Sequence, residues 1–291
     1  MATPGGRFPD AETLAICERF SLWMRQGGGL PVRGRPLPGS ASPGLDFEGF
    51  SEYSPGRDIR RLDWPLYVRT RRFYVREYAD ESAGLLLVLL DASGSMGVGD
   101  PPKFALARRL AAVLAFAALR ELHQVVIGVL HAGRTVWLPP LAGLDSAPEA
   151  FRFLGRFVPR GPTDLAGALT ALPVRGARGD AVLVGDFLDP RGADRGLLAL
   201  ARQGFRVDLC RVVAEGEFDV PPPGVRLRDP EGEHVRPAPL DTASRARLEA
   251  AITAHRLALD DAARRVGALL LNLPADLALP QALERVFAAI G

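Results

Sequence analysis

The chain has 291 residues, 47% hydrophobic and 24% charged, with a formal charge of +2; that is enough apolar content for one large core or two small ones, and nothing in it reads as disordered overall. Cys17 and Cys210 stand far apart without a second sulfur nearby, which argues against a disulfide framework or a zinc knuckle and makes both buried small apolar groups. The longest apolar runs, Leu85 to Leu90 and Leu110 to Leu119, fall short of a membrane span, and Met1 to Asp10 offers no apolar leader core, so the expectation is a cytoplasmic protein.

Asp10 precedes a helical pattern over Ala11 to Gln26 that stops at Gly27-Gly28-Gly29. Leu30 to Gly44 carries too much proline and glycine for regular structure and reads as a loop or linker. Phe47 to Glu81 is rich in aromatic and β-branched residues and alternates best over Arg72 to Tyr78, which predicts strands. The arginines 69, 71, 72 and 76 there could grip phosphates. Glu77, Asp80 and Glu81 interrupt them, so a solvated strand face is favoured and nucleic-acid binding ranks low. Lys103 is the one lysine among the cations, a bias the composition assigns to a GC-rich genome rather than to function.

From Leu85 onward strands and helices alternate. Strands are predicted at Leu85 to Asp91, Val125 to His131, Thr135 to Leu138 as its hairpin mate, Ala181 to Asp186 and Phe205 to Val213. Helices are predicted at Lys103 to Leu122, Ala147 to Phe157, Asp164 to Leu172 and Gly192 to Gln203. Val220 to Leu240 is turn-rich. A long helix over Thr242 to Arg265, a short strand over Ala268 to Leu273 and a last helix follow. This order predicts an α/β fold with a doubly wound, mostly parallel sheet. Residues 1–83 form an N-terminal helix, loop and β-rich segment, 84–213 the α/β domain, and 214–291 a C-terminal extension packed on it. Such sheets bind ligands beyond the carboxyl ends of their strands, where Asp91 and Asp186 both fall.

In Asp91-Ala92-Ser93-Gly94-Ser95, alternate residues point the same way just past the strand, so three oxygens can converge. Thr163 lies in a Gly-Pro loop before a helix and can enter the same pocket, and Asp186 can complete it. Three hydroxyls and two acids suit one octahedral Mg2+ or Mn2+ per chain with a position left over. An acidic side chain from a partner would bind strongly at that position. Each piece alone has a plainer reading as a cap or a strand end.

That pattern resembles the metal-ion-dependent adhesion site of the von Willebrand factor A family: Asp-x-Ser-x-Ser, then a threonine, then an aspartate. The resemblance covers roughly Leu85 to Val213. It implies metal contact by Ser93, Ser95 and Thr163, with Asp91 and Asp186 acting largely through water; Asp164 and Asp189 are outer candidates. The preceding stretch, Tyr53-Ser54-Pro55-Gly56-Arg57-Asp58-Ile59-Arg60-Arg61-Leu62-Asp63-Trp64 followed by Val68-Arg69, resembles the bacterial family called domain of unknown function 58. Its pattern is matched at Tyr53, Gly56, Asp58, Arg60, Asp63, Trp64 and Arg69 and departs at Arg57, which replaces an acid, and at Val68. Gly185 stands where relatives often carry serine. The resemblance implies a non-enzymatic module acting with a MoxR-type AAA+ ATPase, or that ATPase's client, in assembly or maturation of other proteins.

Two other readings compete. Ser93 to Gly97 approaches a Gly-x-Ser-x-Gly nucleophile elbow centred on Ser95, with Asp186 or Asp189 and then His234 or His255 in hydrolase order. The first elbow position is serine instead of glycine, and no oxyanion-hole segment is present. His123, His131, His234 and His255 lack metal-ligand spacing, so zinc has little support.

Overall fold

A computed structural model describes residues 8–24, 34–35, 47–52, 74–78, 84–121, 123–174, 177–189, 191–222, 229–232 and 241–290. Tyr53, Gly56, Asp58, Arg60, Asp63, Trp64, Arg69 and His234 lie outside the described residues.

The strands are β1 (Gly34–Arg35), β2 (Phe47–Glu52), β3 (Tyr74–Tyr78), β4 (Leu85–Asp91), β5 (Gln124–His131), β6 (Arg134–Ala142), β7 (Arg178–Gly185), β8 (Phe205–Val213) and β9 (Leu269–Pro274). β2 and β3 form a separate antiparallel pair. The main sheet runs β6-β5-β4-β7-β8-β9, and β1 adds a short antiparallel bridge to β7. Along that path only the hairpin β5-β6 is antiparallel. β4 and β7, the central strands, are buried on both faces. This explains why they read as continuous apolar runs instead of alternating ones.

Helices cover both faces, so the fold is doubly wound α/β, as expected. On one face lie α1 (Ala11–Met24), α2 (Lys103–Arg120), α3 (Ala147–Leu154) and α7 (Leu279–Ile290). On the other lie α4 (Leu165–Thr170), α5 (Asp194–Arg202) and α6 (Thr242–Arg265). In α2, Ala107, Ala111, Ala115 and Ala118 are fully buried, and their small side chains let the helix lie close against the sheet. The predicted cap of α1 is present: Asp10 Oδ1 accepts the Thr13 N–H at 2.9 Å, and Arg109 of α2 reaches Asp10 at 2.6 Å and Glu12 at 2.8 Å.

The sheet continues past Val213. β9 pairs in parallel with β8, and Leu273, Leu279, Ala282, Leu283 and Val286 join the same core as α2. β6 extends through Pro139 and Pro140 to Ala142, longer than the predicted Thr135 to Leu138. Proline is tolerated on β6, which among the described residues is an edge strand with no neighbour on one side to receive an N–H. Among the described residues no helix is long and apolar enough to cross a membrane.

Candidate functional site

β4 ends on Asp91, 6% exposed, and the chain turns at once: Ala92 N–H donates to Leu130 O at 2.8 Å, and Ser93 N–H donates to Asp91 Oδ1 at 2.8 Å. A short 3-10 turn over Gly94–Gly97 then seats Ser95 beside Ser93, with their hydroxyl oxygens 3.1 Å apart. The loop carrying Thr163 is tied to the same turn by two backbone bonds, Gly94 N–H to Gly161 O at 2.8 Å and Arg160 N–H to Ala92 O at 3.0 Å. Gly161 takes φ +70, a conformation that favours glycine, and this bend brings Thr163 inward. Thr163 is 3% exposed and its Oγ1 has no hydrogen-bond partner among the described residues. Asp91, Thr163 and Asp189 line one small cavity together with Leu89, Leu165 and Phe187.

Asp186 follows β7, next to β4, and is 1% exposed. Its Oδ1 accepts the Leu188 N–H at 3.1 Å and its Oδ2 accepts from Lys103 Nζ at 2.7 Å. Phe187 supplies the bend after it at φ +59, an uncommon angle for a bulky residue, held by burial of the ring. Gly185 permits the close approach of the two aspartate-bearing strands: a Cβ there would lie 2.6 Å from Asp91 Cβ.

Asp164 and Asp189 act on the backbone. Asp164 caps α4, its Oδ1 accepting the Gly167 N–H at 3.0 Å. Asp189 accepts from Leu165 N at 3.0 Å through Oδ2 and from Arg191 N at 2.9 Å through Oδ1, while Arg191 Nη2 donates to Thr163 O at 2.8 Å. These bonds hold the threonine loop against the loop that follows β7.

Two charged residues at the site were not singled out from the sequence. Lys103, at the start of α2, is fully buried and pairs with Asp186 and with Glu217. A signal for it existed: the chain keeps a single lysine where every other cation is arginine. Glu231 comes from the turn-rich segment after β8. Burial pushes its carboxyl up, while the Ser95 hydroxyl, the Thr163 N–H and the Ser93 hydroxyl draw it back down. Its backbone lies against the serine turn: a Cβ on Gly94 would fall 3.2 Å from Glu231 Cα. No linear signal marks Glu231, because its role depends on the loop folding back over β4.

Burial and neighbouring acids dominate the electrostatics of the site. Burial, followed by the negative charge of Asp186 and less so that of Glu231, pushes the Asp91 carboxyl up to about 7; the Ser93 N–H and hydroxyl oppose this. Among the described residues Lys103 pairs with Asp186 and Glu217, and no ion pair is made by Asp91 or Glu231. Thr163 Oγ1 and Glu231 Oε1 are both buried without hydrogen-bond partners among the described residues. Hydroxyls, carboxylates, surplus negative charge and partnerless oxygens fit a hard divalent cation. Among the described residues no three His, Cys, Asp or Glu side chains converge as a metal cluster, so any ion here depends on the hydroxyls. No imidazole among the described residues hydrogen-bonds Ser95, whose hydroxyl faces Ser93.

The chain is 30% identical over 280 residues to the uncharacterized proteins Rv1480 of Mycobacterium tuberculosis and Mb1516 of Mycobacterium bovis, covering 93% of this chain and 87% of each relative. Among solved structures it is similar to the conserved hypothetical protein BatB from Bacteroides thetaiotaomicron, with TM-score 0.42, 20% identity, and 71% of this chain and 96% of that one covered. It is also similar to the SpRpn10 VWA domain, with TM-score 0.41, 14% identity, and 69% and 94% covered. Residues 50–258 match the family described as Protein of unknown function DUF58, a span that runs from β2 through the serine turn, Thr163, Asp186 and Glu231 into α6, and the chain belongs to that family.

Proposed function

We propose that this protein is a divalent-cation-dependent protein-binding module without a catalytic step, working in the cytoplasm. The observation that carries the reading is the buried Thr163 hydroxyl, without a hydrogen-bond partner among the described residues, lining one cavity with the raised Asp91 carboxyl on a loop bonded to the Ser93–Ser95 turn. Ser93, Ser95 and Thr163 would hold Mg2+ or Mn2+ with Asp91 and Asp186 behind them, and the bound ion would supply the positive charge that accepts a carboxylate. The hydroxyls leave that charge largely unneutralised, which makes a partner's aspartate or glutamate a strong ligand. Asp189, Asp164 and Arg191 fix the two loops so that the oxygens are in place before binding.

The partner is a MoxR-type AAA+ ATPase or its client, offering an acidic side chain. The test is capture of purified ATPase by the immobilised chain with magnesium and with chelator. Capture in magnesium that is lost with chelator and in Asp91→Ala is expected. Capture indifferent to both would overturn the reading.

A further inference from the structure

We propose that Glu231 is a built-in acidic ligand of the cation site, occupying the position that a partner's carboxylate must take. The inference rests on the cation reading above. Three independent features place Glu231 there.

First, the segment Asp229 to Gly232 lies directly on the serine turn. A Cβ on Gly94 would fall 2.1 Å from Pro230 O, so this contact requires glycine between the two serines. Second, the Glu231 N–H donates to Asp229 Oδ1 at 2.9 Å, closing a local turn of the kind in which Asp fixes the backbone two residues on. Third, Glu231 Cα would lie 3.2 Å from a Cβ on Gly94, between the two serines, and Glu231 Oε1 is buried without a hydrogen-bond partner among the described residues; the Ser95 hydroxyl, the Thr163 N–H and the Ser93 hydroxyl favour its ionised form.

An acid half-buried among other acids is costly unless a cation joins them. Thr163 Oγ1, 3% exposed and partnerless among the described residues, is a second oxygen that such an ion would satisfy. Glu231 therefore completes the ligand set in the resting chain. An acidic partner side chain gains only the difference between its own binding and that of Glu231, so capture is competitive and a weakly matched acid is rejected.

The test uses Mn2+ alone as the probe on the full chain, with free ion counted by its electron paramagnetic signal and ion-bound water by proton relaxation. Glu231→Ala should bind Mn2+ roughly ten-fold more weakly, the size of one charge-assisted contact. Its bound ion should relax water faster because an open position is hydrated, and added acetate should reverse that gain in the variant while leaving wild type unchanged. Glu231→Gln keeps the side chain's size and should show the same direction of change, which guards against a packing effect of the alanine. Wild-type affinity and relaxation in both variants would overturn the internal ligand and leave the cation site standing. Failure of wild type to bind Mn2+, with Asp91→Ala no different, would overturn the cation reading and this inference with it.

Discussion

Lys103 Nζ lies 2.7 Å from Asp186 Oδ2 with both side chains shut from solvent, at 0% and 1% exposure. The same ammonium meets Glu217, whose Oε2 accepts the Ala214 N–H at 3.1 Å. This links the first turn of α2, the end of β7 and the end of β8, so one side chain joins three elements at the carboxyl edge of the sheet. Removing one partner of a buried pair leaves an uncompensated charge. Lys103→Met should therefore lower unfolding free energy by about 3–5 kcal/mol in denaturant titration. Lys103→Arg should fail to restore it, since the planar guanidinium needs space that an enclosed ammonium site lacks. Full stability in the arginine variant would contradict the close fit.

The raised Asp91 carboxyl sets a pH dependence for the metal-free chain. Its folded value of about 7 lies above the ordinary carboxylate value of 3.8. Between the two the folded state holds a proton that the unfolded state has released, so stability falls as pH rises through that window. Thermal melting in chelator should show a decline from pH 4 to pH 7 that Asp91→Asn flattens. Added Mg2+ should oppose the decline by favouring the ionised form. A rise in stability attributable to Asp91 across that range would have the wrong sign.

Gly185 connects a sequence departure to site geometry. Where the resemblance leads one to expect serine this chain has glycine, and a Cβ here would lie 2.6 Å from Asp91 Cβ. Either β4 and β7 separate or Asp91 turns away. Gly185→Ala should cost about 1–3 kcal/mol, as overpacking does, and should weaken Mn2+ binding more than a change on the outer face of α6. Unchanged stability and binding would show that the strands yield freely.

The two cysteines test burial elsewhere. Cys17 and Cys210 are each 2% exposed, and burial pushes both thiols up to about 12. Neither should react with a thiol-exchange reagent in the folded chain at pH 8, and both should react in denaturant. Fast modification of either in native buffer would place it at the surface.

The central strand β4 was legible because burial on both faces writes itself as an unbroken apolar run, Leu85 to Leu90 closed by Asp91; β8, Phe205 to Val213, also matches in full although Arg206, Asp208 and Arg211 interrupt its apolar residues. β7 begins at Arg178 instead of Ala181 because its first turns are polar. Asp180 is buried yet paired with Arg206 at 2.9 Å, a cross-strand contact that no local pattern announces. The Asp-x-Ser-x-Ser turn was readable because its residues are neighbours in the chain. Lys103 and Glu231 were not, since each meets the site only through helix placement or a returning loop.

Asp189 separates support from ligation. It joins Leu165 N–H and Arg191 N–H through its two oxygens, both bonds being to backbone, and is 2% exposed. Asp189→Asn keeps the shape but turns one acceptor into a donor facing an N–H. That mismatch should cost about 1–3 kcal/mol of stability. Mn2+ should still bind, with an affinity loss smaller than in Asp91→Ala, because the displaced loop carries Thr163 but leaves the serine pair on its own turn. A loss of Mn2+ binding as complete as in Asp91→Ala, with the fold intact by melting, would make Asp189 a ligand in its own right.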